Sequence, residues 1–182
     1  MIELPLRLAT PDDVPALQRL IGASVRGLSI GYYTDEQIES GLRHVFGVDS
    51  QLIADGTYYL IDGPEGCVAG GGWSRRATLY GGDQHKIAPD VLLDPASEPA
   101  RIRAFFVHPA WVRRGFARRL FHACKTAARS AGFRSLELGA TLPGVPLYAA
   151  LGFTAHERVD ATMPDGVVLP VVRMSRAIDP AP

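Results

Sequence analysis

Residues 103–153 limit what this chain can fold into more than any other stretch. They read as an apolar strand (residues 104–107), a His108-Pro109 turn, a basic bend and a long amphipathic helix. The bend is Arg113-Arg114-Gly115-Phe116-Ala117. A helix N-terminus offers backbone N–H groups without intrahelical partners, plus the positive end of the helix dipole. Two arginines at that mouth make an anion site suited to phosphate or pyrophosphate. Gly115 permits close backbone approach, and Ala117 is small enough to keep the first turn open. Arg118 lies near enough to touch a phosphate. Arg119, Lys125 and Arg129 read as solvated helix surface.

The pattern on either side predicts a mixed α/β layer in one domain over residues 1–178, with a flexible tail at 179–182. Residues 2–8 read as a first strand. Thr10, Pro11 and Asp13 open a helix whose apolar face is Val14, Leu17, Leu20 and Ile21. Residues 27–33 break it. Thr34 and Gln37 form a capping-box pattern for a second helix. Residues 57–62 and 67–75 read as strands joined by a turn at 63–66. Regularity then disappears over residues 81–99, a proline-containing loop between the third and fourth strands, long enough to suggest a functional role at an acceptor site. A helix over 116–131, with Gly132 as C-cap, is followed by a strand at 136–139, a short helix at 145–151 and a closing hairpin around Pro164-Asp165-Gly166.

Nineteen basic and nineteen acidic residues leave no net charge, which argues against a nucleic-acid or membrane-surface binder. Cys67 and Cys124 are far apart, lack metal-ligand spacing and read as reduced thiols. No signal peptide or membrane-length apolar run is visible, so a cytoplasmic protein is expected. No metal is expected, and homodimerisation stays open.

The stretch resembles the acyl-CoA-binding core of the GCN5-related N-acetyltransferase (GNAT) superfamily. That family's bend is Q/R-x-x-G-x-G/A, and Val112-Arg113-Arg114-Gly115-Phe116-Ala117 is similar to it, with Val112 in place of Gln or Arg. The family also favours a Tyr four residues before Gly-Phe, as in Tyr148-Ala149-Ala150-Leu151-Gly152-Phe153. An Asn often precedes that Tyr by seven residues; here Thr141 stands there. Residues 6–13 resemble the family's opening more weakly. The resemblance implies a GNAT-like fold: a mixed, mostly antiparallel central sheet flanked by helices, with acyl-CoA bound where the central strands splay. It implies acetyl-CoA as co-substrate, held by the backbone of Phe106 and Val107 and by Arg113, Arg114, Gly115, Phe116, Ala117, Arg118 and Thr141.

The activity so implied is direct acetyl transfer to a primary amine of a small molecule or protein. Tyr148 would act as general acid, because a phenol can give a proton to a leaving thiolate. A non-catalytic CoA-binding sensor of the same fold is the alternative. Many family members carry a carboxylate on the strand before the His-Pro turn, where this chain has Arg103. Glu137, His85 and Asp83 are the remaining candidate bases, while His108 is expected to shape its turn. Tyr32, Tyr33, Trp73 and Arg75 are expected to line the acceptor pocket, suiting a substrate with an apolar body and a carboxylate.

Overall fold

Alternation along one strand shows how the molecule is layered. Leu60 and Ile61 are both fully buried, yet they belong to cores on opposite faces of the sheet. The structure, a computed structural model, describes residues 3–86 and 88–179. Ile2 of the expected opening strand lies outside these, as do residues 180–182 of the expected tail. The seven strands are β1 (Leu6–Leu8), β2 (Tyr58–Gly63), β3 (Gly66–Ser74), β4 (Ala100–Val107), β5 (Ser135–Thr141), β6 (Thr154–Thr162) and β7 (Val168–Ala177). They form one sheet in the order β1-β2-β3-β4-β5-β7-β6. All neighbours are antiparallel except β4 and β5. That is the mixed, mostly antiparallel sheet the family resemblance implies.

Helices α1 (Val14–Leu28), α2 (Asp35–His44) and α3 (Ser50–Ala54) cover one face. Helices α4 (Phe116–Ser130) and α5 (Val145–Ala150) cover the other. The start of α1 forms as the sequence suggests: Asp13 accepts from the Thr10 backbone N–H at 2.7 Å, behind a short 3-10 turn at Pro11–Asp13. Thr34 caps α2 by accepting from the Gln37 N–H at 3.1 Å. Two expectations change. The first helix runs through Gly27 to Leu28, because its last turn packs onto the core rather than ending at the glycine. Helix α3 has no counterpart in the sequence reading; it is a single turn capped by Asp49, which accepts from the Gln51 N–H at 3.1 Å.

The centre of the sheet positions the site. Strands β4 and β5 pair only at Ala100–Leu136 and Arg101–Glu137. Beyond Arg101, β4 bulges: its register against β3 slips between Gly70 and Gly72, and Ala104 adopts φ 54°. A positive φ on alanine costs roughly 1–2 kcal/mol. It persists because the Tyr58 hydroxyl donates to the Ala104 carbonyl at 2.9 Å. The apolar strand expected at residues 104–107 is therefore part of a kinked strand, eight residues long, that turns away from β5.

Candidate active site

The gap between β4 and β5 is a cleft of about 200 Å³. It is lined on one side of the sheet by Ala117, Pro143, Leu147 and Tyr148, and on the other by Ser24, Val25, Leu28 and Phe46. It therefore passes through the sheet, reaching α4 and α5 on one face and α1 on the other.

At the α4 end lies the candidate anion cradle. Gly115 is the N-cap residue with φ 82°, a conformation that favours glycine. A Cβ built there meets nothing within 4 Å, so the space in front of the helix is open. The first α4 bond runs from the Arg119 N–H to the Gly115 carbonyl at 3.0 Å. This leaves the N–H groups of Phe116, Ala117 and Arg118 without intrahelical partners. Arg113, Arg114 and Arg118 are exposed and make no ion pair among the described residues. Arg114 stacks on Trp111, its Cζ 4.5 Å from the ring centre, which holds one cation beside the bend. The cradle residues thus fit a phosphate-bearing ligand by charge, by donors and by room. Val112 is exposed and presents only an aliphatic group.

Of the other cofactor candidates, Phe106, Val107 and Thr141 all line the cleft. The Val107 N–H donates to Ser24 Oγ at 3.3 Å, so one expected backbone donor is held by a helix hydroxyl. Sequence reasoning missed Ser24; its only signal there is a polar residue on the apolar stripe of α1. His108 shapes its turn, accepting from the Ala110 N–H at 3.2 Å.

Tyr148 lines the cleft from α5 and is only 9% exposed. Its ring is wedged between Phe105 and Phe153, at centroid distances of 6.3 and 5.8 Å. Burial, chiefly, pushes its phenol well above the ordinary tyrosine range. The group therefore stays protonated at neutral pH and can donate.

The acceptor candidates are scattered. Trp73 is 3% exposed and packs edge-on to Phe133 in the core behind α4. Arg75 is exposed and stands over Trp73, 5.6 Å from its ring. Tyr32 is half exposed, on the outside of the α1–α2 link. Tyr33 is buried and structural: its hydroxyl donates to the Pro170 carbonyl at 2.6 Å and accepts from the Leu142 N–H at 2.9 Å. None of the four lines the cleft. Strand alternation explains Trp73 and Arg75, which both point to the α4 face.

The wall facing α1 is supplied instead by Leu79 and Tyr80, from the connection that follows β3. Tyr80 lies over Gly139 of β5, where an added Cβ would touch its ring at 3.0 Å. The expected long loop over 81–99 thus contributes Gly81 and Gly82 to the cleft, but its main wall residues lie just before it. The connection is pinned by a buried ion pair. Arg103 donates to Asp49 at 2.8 Å and to the Thr78 carbonyl at 3.1 Å, and Lys86 pairs with the same carboxylate.

The candidate bases sit around the cleft, outside its lining. Asp83 accepts from the Ser50 N–H at 3.0 Å, Glu137 lies between Arg101 and Arg173 at 3.4 and 3.6 Å, and His85 stacks on Tyr80 at 5.2 Å. No helix of the described residues is long and apolar enough to cross a membrane.

Residues 92–174 match the family model described as "Acetyltransferase (GNAT) domain". No curated protein sequence matches the chain. Among solved structures it is similar to a GCN5-related N-acetyltransferase from Rhodopseudomonas palustris, at 20% identity and TM-score 0.72, with 97% of both chains covered. It is also similar to yncA of Salmonella typhimurium, solved with its cofactor acetyl-CoA: 15% identity, TM-score 0.61, covering 100% of this chain and 97% of that one. PaiA N-acetyltransferase of Thermoplasma acidophilum, solved with coenzyme A, aligns at 11% identity and TM-score 0.63, over 97% of this chain and 99% of that one. Residues 92–174 thus match that family's domain, and nearly the whole chain has the fold of solved GCN5-related N-acetyltransferases.

Proposed function

We propose that this enzyme transfers an acetyl group from acetyl-CoA directly to a primary amine, with Tyr148 as general acid. The observation that carries the reading is the position of Tyr148. A buried, protonated phenol lines the same cleft as the open edge of β4, next to a helix N-terminus built for an anion. The phosphates would sit at Phe116, Ala117 and Arg118, flanked by Arg113 and Arg114. The extended arm would run along the free edge of β4 like an added strand, touching Phe106 and Val107. That places its thioester near Tyr148, while an amine approaches from the α1 side. Tyr148 O–H then donates to the sulfur as the carbon–sulfur bond breaks.

Tyr148→Phe tests this, because it keeps the ring and removes only the hydroxyl. Its kcat should fall on the order of a hundredfold, with little change in KM, acetyl-CoA affinity or melting temperature. Wild-type turnover, measured where chemistry limits the rate, would return Tyr148 to the packing residues. No carboxylate or histidine is found among the described residues of the cleft lining, which favours a second reading, a CoA-binding sensor without turnover. Release of free thiol dependent on an added amine separates the two.

A further inference from the structure

The half of the cleft beneath α1 has an unusual chemistry for a site that must take an amine. Its walls are Val25, Leu28, Val45, Phe46, Leu79 and Tyr80. Among the described residues that line the cleft, none is Asp, Glu, Lys, Arg or His; the polar side chains are all hydroxyls. Ionisable groups on the packed elements around it are engaged elsewhere. Asp49 is held by Arg103 and Lys86, Asp83 caps the α3 backbone, and Glu137 is shared by Arg101 and Arg173. His85 lies against Tyr80 rather than in the opening. An ammonium entering this space would lose its hydration and find no counter-charge, a heavy cost in an apolar site. A carboxylate on the acceptor would meet the same penalty, since Arg75 stands on the other face of the sheet over Trp73.

We infer that the acceptor is a weakly basic primary amine, uncharged at working pH, carried on an apolar or aromatic body without a second charge. This rests on the acetyl-transfer reading above and narrows it. It also accounts for the missing base. The lone pair of a neutral amine is already free to form the nitrogen–carbon bond. The carbon–sulfur bond breaks, and the departing sulfur takes the Tyr148 proton. The nitrogen then sheds its surplus proton, which restores the phenol. Amine and thioester become amide and thiol, with no proton left over.

The test uses the purified protein, acetyl-CoA and thiol release, between about pH 7 and 8.5. Within that window the neighbours stay silent. Burial, and then Arg103, lowers His85 below its ordinary value, and burial raises the Tyr80 and Tyr148 phenols above theirs. Two probes share an aromatic body: para-toluidine, neutral throughout, and benzylamine, mostly protonated. With para-toluidine kcat/KM should be flat with pH, whereas with benzylamine it should rise about tenfold per pH unit, following the neutral fraction. Phenylalanine and spermidine, which add a carboxylate or further ammonium groups, should each fall at least about a hundredfold below para-toluidine. A flat benzylamine profile, or faster turnover of phenylalanine or spermidine, would overturn the inference and leave acetyl transfer standing. Absence of amine-dependent thiol release with all four amines would overturn the transfer reading, and this inference with it.

Discussion

Gly115 holds its backbone in the left-handed region, and a Cβ added there would meet no protein atom within 4 Å. Gly115→Glu adds bulk and a negative charge where the phosphates are expected. Acetyl-CoA affinity should fall by about 2–4 kcal/mol, as a like charge at close range near a protein surface predicts. The strain of a positive φ costs stability roughly 1 kcal/mol more. Calorimetry beside a melting curve separates the two; unchanged affinity in a folded variant would empty the cradle of its role. The places of Gly115 at a helix start and of Tyr148 on a short helix are legible in the sequence because their signals are local, a bend before a helix and a fixed spacing to Gly152-Phe153. Ser24 and Tyr80 are not. They meet across the fold, Ser24 through the Val107 N–H and Tyr80 over Gly139, and nothing within a few residues of either announces it. Trp73 misleads for the opposite reason. An aromatic next to an arginine looks like a binding pair, and only the strand's alternation puts both on the α4 side.

At the scale of elements, the start of α1 ties three segments together. Arg7 of β1 donates to both Asp13 oxygens, at 2.9 and 2.8 Å, and to Asp62 of β2 at 2.7 Å. The Arg7 hydrogen bonds, chiefly, hold the Asp13 carboxyl well below the usual carboxylate range. A carboxyl depressed in the folded state contributes stability above its unfolded value, near pH 4, and loses it as pH falls from there. Asp13→Asn should therefore cost about 1–2 kcal/mol at neutral pH. Urea unfolding at descending pH should show that gap shrinking below about pH 4; a gap that stays constant would mean the ion pair contributes nothing. Helices with caps and apolar stripes are readable in this way, as are the hairpins. The single turn of α3 is not, since five residues carry too little periodicity to see. The β4 bulge is hidden too, because an apolar run gives no hint of where a strand will kink.

At the scale of the molecule, the connection after β3 is fastened to the sheet through charges taken out of water. Arg103 and Asp49 are 2% and 1% exposed. Removing one partner of such a pair strands the other, so Asp49→Asn should cost about 3–5 kcal/mol. It should also free residues 78–86 for proteolysis, which gel analysis after brief protease treatment would show; cleavage elsewhere, or none, would mean the pair does not hold the connection. The splayed centre of the sheet has a thermodynamic meaning of its own. Within the sheet itself, only two ladder pairs join a four-stranded part to a three-stranded part. Whatever lies in the wedge bridges the two parts as a missing strand would, and anything that binds only the folded state adds stability in step with its saturation. The melting temperature of this chain should thus read out how full the proposed acetyl-CoA site is, and the two parts of the sheet should loosen together as that ligand is withdrawn.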